Sequence, residues 1–498
     1  MKNLILLFTM ILILLSSNQV ISQTSVNREW IDNTGTPDTL IWSKSVVLPD
    51  NHLLHIGHTK IGGQNTHALI TLYDNDGATV WQEQFSDSVQ YDYYGVDADF
   101  DDNLNIYVVG TAKNNSNNKA KVFLLKFNFS GTLLWEKFYH SGGYNEDIAT
   151  GITADQNGET YISAASKTFT TDFDYLTLKH DASGSLDWDH RYDNDSLIDF
   201  AIGLSLEDNK VIVTGASASS ITRWDYTTLY LDAEYGQTQF VRRENVASTG
   251  LDLPSAFTKD KNGFFYITGR SSTDGIDYDI KTTKLDSNLN IVWSETYDFA
   301  GLKDEGVSIA VDSTGNVFVG GYVTRSGNVT DIMLLKYDTS GNQVWEHRQS
   351  GDDPTKDAKA TAVQVSTDGE LYFTGYEHKK NGNQRAIIGK YSQNNNTIYQ
   401  RRTKSFPGLN ELPTSLRISD DKSIYLTSIQ DDNASLEYAT RRYTEFEQDI
   451  TPYLVNDSIP VFRAQEIIVR FKQNALDSLA FSQFFKEKEE SLIYCKRI

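Results

Sequence analysis

The chain is poor in the residues that cross-link or break up small proteins. Its 498 residues contain a single cysteine, Cys495, so no disulfide can form within the chain. Proline is also rare, with 8 residues against 33 glycines. A chain without disulfides must be stabilised by the burial of apolar side chains, which favours a large core over a small cross-linked scaffold.

Positive charge is scarce as well. Lysine and arginine together number 45, against 67 aspartates and glutamates, which gives a formal net charge of −22. Such a surface repels phosphate backbones and anionic lipid, so we expect neither nucleic acid nor a membrane as a partner. Aromatic residues make up 12% of the chain, and together with the abundant glycine they are typical of a β-rich, turn-rich globular protein.

Long apolar runs are absent after the first residues. The chain begins with Lys2, an apolar run from Leu4 to Leu15, and a polar stretch with small residues that ends at Ser22. This pattern is typical of a signal peptide, which we assign to residues 1–22. We therefore predict cleavage near Ser22 and secretion to the extracellular space or the cell surface. No cysteine follows the apolar run, so we expect no lipid anchor.

An internal repeat runs through most of the sequence. An apolar strand that ends at a small residue recurs at intervals of about 53 residues. The small residues are Gly57, Gly110, Ala164, Gly215, Gly269, Gly321, Gly375 and Ser428. Because the apolar residues within each copy alternate with a period of two, the repeat cannot be a solenoid of helices.

A second element recurs in step with the first, and it ends in an aromatic residue. The aromatic residues are Trp30, Trp81, Trp135, Trp188, Phe240, Trp293, Trp345 and Tyr399. Each unit then holds four short strands, A to D, which is the length and rhythm of a β-propeller blade. We predict an all-β propeller of four-stranded blades, in which the aromatic residues wedge between neighbouring blades.

The number of blades depends on the chain ends. Eight A–B–C sets are present, but the last set, residues 411–447, lacks a fourth strand. Trp30 has the register of a D strand, so we predict an eight-bladed propeller over residues 23–447 that is closed by the N-terminal strand. A seven-bladed ring with one degenerate unit outside it is the alternative.

The residues after the repeat form a separate region. We predict a linker over residues 448–463 and a short α/β segment over residues 464–498, with a helix that begins at Asp477. One strand and one helix cannot bury a core alone, so this segment is interpreted as the start of a further domain, truncated here or degenerate. It weakly resembles the propeptide-like region that precedes subtilisin-type peptidase domains.

One repeat carries a resemblance to a known family. The stretch GVSIAVDSTGNVFVGGYV, residues 306–323, resembles the SBBP repeat of secreted bacterial β-propellers. The pattern extends over residues 25–447. The resemblance implies a bacterial, exported and mostly non-catalytic repeat protein, and the family name implies seven blades where the present count gives eight.

One acid precedes each A strand. The eight residues are Asp38, Asp92, Asp147, Asp199, Asp252, Asp304, Asp357 and Glu411. The common position predicts that these ring acids lie on one face near a central channel. Either each carboxylate accepts backbone N–H groups of nearby loops, or together they bind a cation, for which Ca²⁺ is the best candidate because it prefers hard oxygen ligands.

Other candidate sites are weaker. The stretch DADFDDNLN, residues 97–105, begins like a calcium loop but lacks its central glycine and distal glutamate, so turn chemistry is the favoured interpretation. Four histidines in the first unit, His52, His55, His58 and His67, lack the spacing of zinc ligands. No nucleophile elbow, zincin motif or phosphate-binding loop is present, so we predict no catalytic residues.

The function expected from the sequence is that of an exported, non-catalytic interaction or scaffold module, monomeric, with an unidentified protein or glycan partner and no required cofactor. One alternative is an accessory propeller of a secreted subtilisin-like peptidase whose catalytic domain lies elsewhere. A second is a quinoprotein-type oxidoreductase, because the aspartate–glycine–aromatic turns are similar to the tryptophan-docking motif of that family. Only Asp232 and Gly236 have the family's spacing, and the vicinal disulfide common in those enzymes cannot form.

Overall fold

The structure is a computed structural model of the chain. It describes residues 22–34, 44–60, 65–87, 89–117, 119–142, 146–168, 172–245, 250–380, 382–403, 410–419, 421–431, 436–449, 453–455 and 459–461. The chain divides into two compact units, one from Arg28 to Thr444 and one formed by residues 1–27 with 445–498. The predicted signal peptide, except Ser22, and the predicted α/β segment 464–498 lie outside the described residues.

Every regular element in the described ranges is a β-strand. The strands assemble into four-stranded units, called sheets 1 to 8 below, so the prediction of an all-β fold made of four-stranded units is confirmed. A single parallel pairing joins sheets 2 and 3, between Ala120 and Glu146, and another joins sheets 4 and 5, between Trp224 and Leu251, so each of these pairs forms one eight-stranded sheet. No helix long and apolar enough to cross a membrane occurs in the part of the chain that the structure describes.

The first four sheets follow one another along the chain, and the strands of each sheet are its A, B, C and D strands. Sheet 1 contains β2 (Lys44–Val47), β3 (Leu53–Lys60), β4 (Thr66–Tyr73) and β5 (Thr79–Phe85). Sheet 2 contains β6 (Tyr91–Phe100), β7 (Ile106–Asn114), β8 (Ala120–Phe127) and β9 (Leu133–Tyr139). Sheet 3 contains β10 (Glu146–Ala154), β11 (Thr160–Lys167), β12 (Phe173–His180) and β13 (Leu186–Tyr192). Sheet 4 contains β14 (Asp199–Glu207), β15 (Lys210–Ser219), β16 (Arg223–Asp232) and β17 (Thr238–Glu244).

The remaining sheets continue this order. Sheet 5 contains β18 (Leu251–Lys259), β19 (Phe265–Ser272), β20 (Asp279–Leu285) and β21 (Ile291–Tyr297). Sheet 6 contains β22 (Glu305–Val311), β23 (Val317–Arg325), β24 (Val329–Tyr337) and β25 (Gln343–Gln349). Sheet 7 contains β26 (Ala358–Val365), β27 (Leu371–His378), β28 (Gln384–Tyr391) and β29 (Thr397–Arg402). Sheet 8 contains β30 (Asn410–Ile418), β31 (Ile424–Asp431), β32 (Leu436–Asp449) and β1 (Ser22–Thr34).

Two further features depart from this simple order. The fourth strand of sheet 8 is β1, the first strand of the chain, which is hydrogen-bonded to β32. Within residues 448–463, predicted as a linker, β33 (Tyr453–Val455) and β34 (Ile459–Val461) pair as a two-stranded antiparallel sheet.

Neighbouring sheets pack against each other through their apolar faces. The B and C strands are buried along nearly their whole length, whereas the D strands are exposed or half-buried, as β7, β8 and β9 of sheet 2 show. Each apolar cluster combines two consecutive sheets; for example, Ile56 and Leu72 of sheet 1 pack with Val108 and Phe123 of sheet 2. Four-stranded sheets that cover one another in chain order form the arrangement of a β-propeller.

The first and last sheets are also in contact. Leu53 and Tyr73 of sheet 1 form one apolar cluster with Tyr425 of sheet 8. The Tyr425 hydroxyl donates a hydrogen bond to the Asn51 carbonyl oxygen at 3.0 Å, and the hydroxyls of Ser45 and Thr427 lie 2.9 Å apart. Sheet 1 is therefore covered on both of its faces, by sheet 2 on one and by sheet 8 on the other.

The small residues of the repeat are explained by a bulge in the A strand. In sheets 2 to 8 the A strand carries one extra residue at the same place, opposite the small residue of the B strand; in sheet 6 the bulge lies between Gly306 and Ser308 and faces Gly321. A Cβ atom at Gly321 would overlap the Glu305 carbonyl oxygen. Each repeat therefore has a small residue at this position, because the bulged A-strand backbone lies too close to the B strand for a larger side chain.

Candidate functional site

The repeated aromatic residues lie at the junctions between consecutive sheets. Four tryptophans on D strands donate a hydrogen bond from Nε1 to a carbonyl oxygen in the C–D turn of the next sheet. The pairs are Trp81 with Phe129 at 2.9 Å, Trp188 with Ala233 at 3.2 Å, Trp293 with Thr339 at 3.2 Å and Trp345 with Gln393 at 3.0 Å. The indole rings thus join sheets 1, 3, 5 and 6 to their successors.

The remaining aromatic residues make weaker use of this position. Trp135 is half-buried and packs on Tyr107, with ring centroids 6.1 Å apart. Phe240 is 40% exposed and Tyr399 is half-buried. Trp30 lies on β1.

The ring acids lie where the A strands begin. Asp147, Asp199, Asp252, Asp304 and Glu411 are 0% exposed, whereas Asp92 and Asp357 are half-buried. Asp38 lies outside the described residues. A buried carboxylate is stable only with donors or cations around it, so the partners of each acid decide its role.

Five ring acids accept hydrogen bonds from nearby backbone groups, among them Asp199 from the Asn194 N–H at 2.6 Å. Asp92 accepts the Thr66 N–H at 2.6 Å, and Asp357 accepts the Thr330 N–H at 2.9 Å, in each case from the C strand of the preceding sheet. Asp147 accepts the N–H and the hydroxyl of Ser141, both at 2.8 Å. Asp304 accepts the N–H groups of Phe299 at 2.6 Å and Thr324 at 2.9 Å. These carboxylates fasten the loops at the sheet junctions.

Two other ring acids are neutralised by buried cations that the sequence analysis did not single out. The Lys281 ammonium lies 3.8 Å from Asp252 and 3.6 Å from Glu244, all three groups being almost fully buried. In sheet 8 the Arg441 guanidinium pairs with Glu411. Lys281 and Arg441 have no counterparts in the other units, so the repeat gave no signal for them.

A set of arginines on the D strands could have been found from the sequence, because their spacing recurs, but the sequence analysis did not identify them. An arginine follows the repeated aromatic residue by three positions in four sheets: Arg191, Arg243, Arg348 and Arg402. Three of them pair with an aspartate at the start of the C strand, Arg191 with Asp174 at 2.9 Å, Arg243 with Asp225 at 2.7 Å and Arg348 with Asp331 at 3.0 Å. Arg402 instead pairs with Glu377 at 2.6 Å.

Two junctions bring three carboxylates together. Asp174, Asp193 and Asp199 each offer one oxygen, and these oxygens lie within 4.8 Å of one another; the same holds for Asp279, Asp298 and Asp304. We call them the junction triads. Each triad contains one ring acid, and no such group in the described ranges contains two, so the structure does not gather the ring acids around one cation.

The environment of the triads disfavours the charged carboxylates. Burial is the main reason why the pKa of Asp199 is raised to about 6 and that of Asp304 to about 7. The pKa of Asp279 is also raised to about 6, first by burial and then by the charges of Asp298, Asp277 and Asp274. These carboxyl groups therefore bind a proton at higher pH than an exposed aspartate does.

The stretch that resembles a calcium loop is divided among separate structural roles. Asp97 accepts the Ile152 N–H at 3.3 Å, and Asp99 accepts the Ala154 N–H at 2.9 Å, so both fasten β6 to β10. Asp101 closes the A–B turn by accepting the Asn105 N–H at 2.9 Å. Only Asp101 therefore serves the turn, as the turn interpretation expects, whereas Asp97 and Asp99 connect two neighbouring sheets.

The four histidines are also placed separately. His55 is fully buried, and burial lowers its pKa to about 4, so it is neutral at pH 7. His58 packs edge-on against Tyr94, and His52 against Phe129. His67 lies opposite Thr59 in the sheet. No histidine belongs to a three-ligand group in the part of the chain that is described.

A small cavity of about 300 Å³ opens between sheets 2 and 3. It is lined by Tyr139, Ser141, Thr168, Leu176, Asp189 and Arg191. The Tyr139 hydroxyl donates to Asp189 at 2.6 Å, which with the neighbouring Asp147 raises the pKa of Tyr139 after the larger effect of burial. The lining combines an aromatic ring, a carboxylate and a guanidinium, which suits a small polar ligand.

No protein-family model matches the chain, and no curated protein matches it. Among solved structures it is similar to the WD40 domain of SCAP from fission yeast, with 11% identity, a TM-score of 0.47, and coverage of 84% of this chain and 98% of that one. The β-propeller domain of the Trilobed protease from Pyrococcus furiosus is similar at 14% identity and a TM-score of 0.39, over 71% of this chain and 95% of that one. Because these TM-scores are low, the fold assignment depends on the order and packing of the sheets.

We predict that Trp345→Ala destabilises the protein by about 3–5 kcal/mol, because a nearly buried ring and its hydrogen bond to sheet 7 are both lost. Phe240→Ala is the matched control: the ring occupies the same register but is 40% exposed, so the loss should stay below about 1 kcal/mol. Urea unfolding followed by tyrosine and tryptophan fluorescence measures both. Equal losses would show that the aromatic residues do not join the sheets.

We also predict that Lys281→Met destabilises the protein by about 3 kcal/mol at pH 8, because it leaves Glu244 and Asp252 buried without their cation. Burial already raises the pKa of Glu244. The folded variant therefore binds a proton at higher pH than the unfolded chain, and its deficit should shrink as the pH falls towards 5.

The control for this substitution is Lys303→Met, which removes an exposed ammonium and should leave stability unchanged. Adding Glu244→Gln and Asp252→Asn to Lys281→Met should restore most of the lost stability. Urea unfolding at pH 5 and pH 8 gives the values, and a deficit independent of pH and of the added amides would contradict the assigned role of Lys281.

Proposed function

We propose that the chain is an exported eight-bladed β-propeller, closed by its own N-terminal strand, that acts as a non-catalytic interaction module for a protein or glycan partner. The resemblance to SBBP repeats and the signal peptide support export, and the sheet order supports the count of eight. The observation that carries the binding role is the difference between the loops at the two ends of the sheets.

Closure is supported by both ends of the repeat. β1 occupies the D position of sheet 8, so the last sheet is completed by the beginning of the chain. The contacts of Tyr425 with Asn51 and of Ser45 with Thr427 join sheets 8 and 1. Closure of this kind removes the two free sheet faces and the free edge that would otherwise favour aggregation.

The A–B and C–D turns are nearly uniform. In sheets 1 to 7 every C–D turn has five residues. In most of them the first residue is an aspartate or asparagine whose side chain caps the turn; Asp338, for example, accepts the N–H groups of Ser340 at 2.8 Å and Asn342 at 2.9 Å. A surface made of the same turn in every sheet offers little to distinguish one partner from another.

The B–C and D–A loops at the opposite end of the sheets differ from one another. The D–A loops range from five residues, 86–90, to eight residues, 350–357. Three of the most exposed apolar side chains belong to these loops: Val89 at 89%, Ile221 at 74% and Ile276 at 66%. The cavity between sheets 2 and 3 lies at the same end. Varied loops with exposed apolar side chains are typical of a binding surface, and we call this end the variable face.

The binding role is tested by finding a partner and mapping it. The mature chain is screened on a glycan array and by pull-down from surface extracts, and the strongest partner is titrated by biolayer interferometry. The triple variant Val89→Glu, Ile221→Glu and Ile276→Glu should weaken binding at least about tenfold. Tyr235→Glu is the control, since Tyr235 is 65% exposed in a C–D turn at the other end. A loss with Tyr235→Glu and none with the triple variant would refute the variable face as the binding surface.

The closure of the propeller by β1 can be tested separately. Deletion of residues 23–34 from the mature chain should lower the melting midpoint by about 5 °C or more and promote self-association, because β32 becomes a free edge. Deletion of residues 453–461, which contain β33 and β34, is the control and should change the midpoint by about 1 °C or less. Differential scanning calorimetry and light scattering report both, and an unchanged midpoint after the first deletion would rule out closure by β1.

A further inference from the structure

The junction of sheets 4 and 5 carries two charged residues at positions that other repeats fill with uncharged ones. Lys281 of β20 lies opposite Gly269, the small residue of the B strand. In the other sheets the residue at this place is uncharged: Leu69, Phe123, Leu176, Thr227, Met333, Ile387 and Ala439. Glu244 is the fourth residue after the D-strand aromatic, where four other sheets have Phe85, Tyr139, Tyr192 and Tyr297. A lysine and a glutamate therefore enter one junction together.

These two side chains meet the ring acid Asp252 inside the protein. The Lys281 nitrogen lies 3.6 Å from a Glu244 oxygen and 3.8 Å from an Asp252 oxygen, and the side chains of Lys281, Glu244 and Asp252 are 4%, 3% and 0% exposed. In the part of the chain that is described, no other lysine pairs with carboxylates buried this deeply. The Tyr226 ring covers the ammonium, with its centroid 4.7 Å from the nitrogen. Water is therefore largely excluded from Lys281, Asp252 and Glu244, which we call the lysine triad.

The lysine triad holds one carboxylate more than its charge balance requires. Lys281 alone neutralises Asp252, and the position of the D-strand arginine is taken in sheet 5 by Thr296, which lies opposite Lys281. Glu244 adds a second carboxylate, and no other lysine or arginine forms an ion pair with it within the described ranges. The Thr283 hydroxyl donates to Glu244 at 2.8 Å, and burial raises the pKa of Glu244. A carboxyl group that is fixed beside an amine and readily takes up a proton is suited to general acid–base catalysis.

An amine and a carboxyl group held in this way can condense to an amide. The Lys281 ammonium gives one proton, through Glu244, to the Asp252 carboxylate, which leaves a neutral amine and a carboxylic acid. The amine lone pair attacks Cγ of Asp252 and forms the N–C bond. Glu244 then moves a proton from the nitrogen to the leaving hydroxyl, the C–O bond breaks, and one water molecule departs. One ammonium and one carboxylate thus become one amide and one water, Glu244 is regenerated, and no oxidant or reductant takes part.

The surroundings of the lysine triad favour this step. Reacting groups that are held together behave as if they were very concentrated, with effective concentrations of about 10⁵ M or more when they are well oriented. The exclusion of water favours the neutral amine and the neutral acid, which are the reacting forms, and it protects the amide from hydrolysis. The buried pair of Arg441 and Glu411 in sheet 8 cannot react in this way, because a guanidinium stays protonated.

We propose that Lys281 and Asp252 form a spontaneous intramolecular amide cross-link, with Glu244 as the group that transfers the proton. The bond joins the A strand β18 to the C strand β20 of sheet 5, across the B strand between them. It restricts the unfolded chain as a disulfide does, which a chain with a single cysteine cannot obtain otherwise. The ion pair described above is the state before the reaction, and the unfolding comparison for Lys281→Met applies to that state.

The test is the intact mass of the purified mature chain, measured by mass spectrometry after denaturation. We expect a mass one water molecule below that of the sequence. Trypsin does not cleave after an acylated lysine, so digestion should give peptides 244–259 and 271–284 joined in one species. Fragmentation of this species should place the bond at Asp252. A mass equal to that of the sequence, or a bond at Glu244 in place of Asp252, would overturn the proposal.

Two substitutions separate the roles of the residues. Lys281→Arg keeps the positive charge but removes the nucleophile, so the variant should retain its full mass. Glu244→Gln keeps the shape but cannot carry the proton, so the loss of water after cell-free synthesis should slow by about a hundredfold or more. Near-UV circular dichroism verifies that both variants fold. Loss of water from Lys281→Arg would show that the loss arises elsewhere in the chain, and an unchanged rate in Glu244→Gln would refute the role of Glu244.

Lys284→Arg is the matched control. Lys284 lies on the same strand and is 6% exposed, but its ammonium contacts the Thr339 carbonyl oxygen at 3.3 Å and forms no ion pair with a carboxylate in the described ranges. This variant should lose one water molecule as the unaltered chain does. Retention of its full mass would show that the reaction does not depend on the Lys281 amine in the way proposed. The measurement requires no partner, so it is independent of the proposed function.

Discussion

The packing of one sheet face against the next is the contact on which the rest of the structure depends. The B and C strands are apolar on both faces, and in the described ranges no helix covers them, so each sheet needs a neighbour on either side. The apolar clusters accordingly draw on two consecutive sheets each, including the cluster that joins Tyr425 to Leu53 and Tyr73. The bulged A strands, the small residues opposite them and the indole hydrogen bonds all serve to bring successive sheets into this contact.

Bringing the sheets together buries polar groups at every junction, and each junction satisfies them in its own way. Asp147 and Asp304 hold their own loops, Asp252 depends on Lys281, and Glu411 on Arg441. The repeats therefore share an acid at this position, but the groups that bind or neutralise its carboxylate differ from one repeat to the next.

The loops at the two ends of the sheets are under different structural constraints. Turns capped by aspartate or asparagine at one end are short because they only reverse the chain, and one turn design serves nearly every sheet. The loops at the variable face are not limited in this way, and they carry length differences and exposed apolar side chains. A rigid repeated scaffold with one variable end is a general way to present a binding surface, which is why the fold alone defines neither the partner nor an activity.

The sequence by itself determined the strands, their grouping in fours and the places where small or aromatic residues are needed, because alternation and turn chemistry are local and recur about every 53 residues. It also identified the ring acids as a set. Only the tertiary structure decided what each acid does, since the partners come from other strands: Asp304 meets Asp279 and Asp298 of the preceding sheet, and Asp252 meets Lys281 on the C strand of its own sheet. Lys281 and Thr296 each depart from the pattern of the other repeats, and the charge of a junction depends on such departures. Contacts between sheets follow from packing across the junction, which no periodicity within a single repeat encodes.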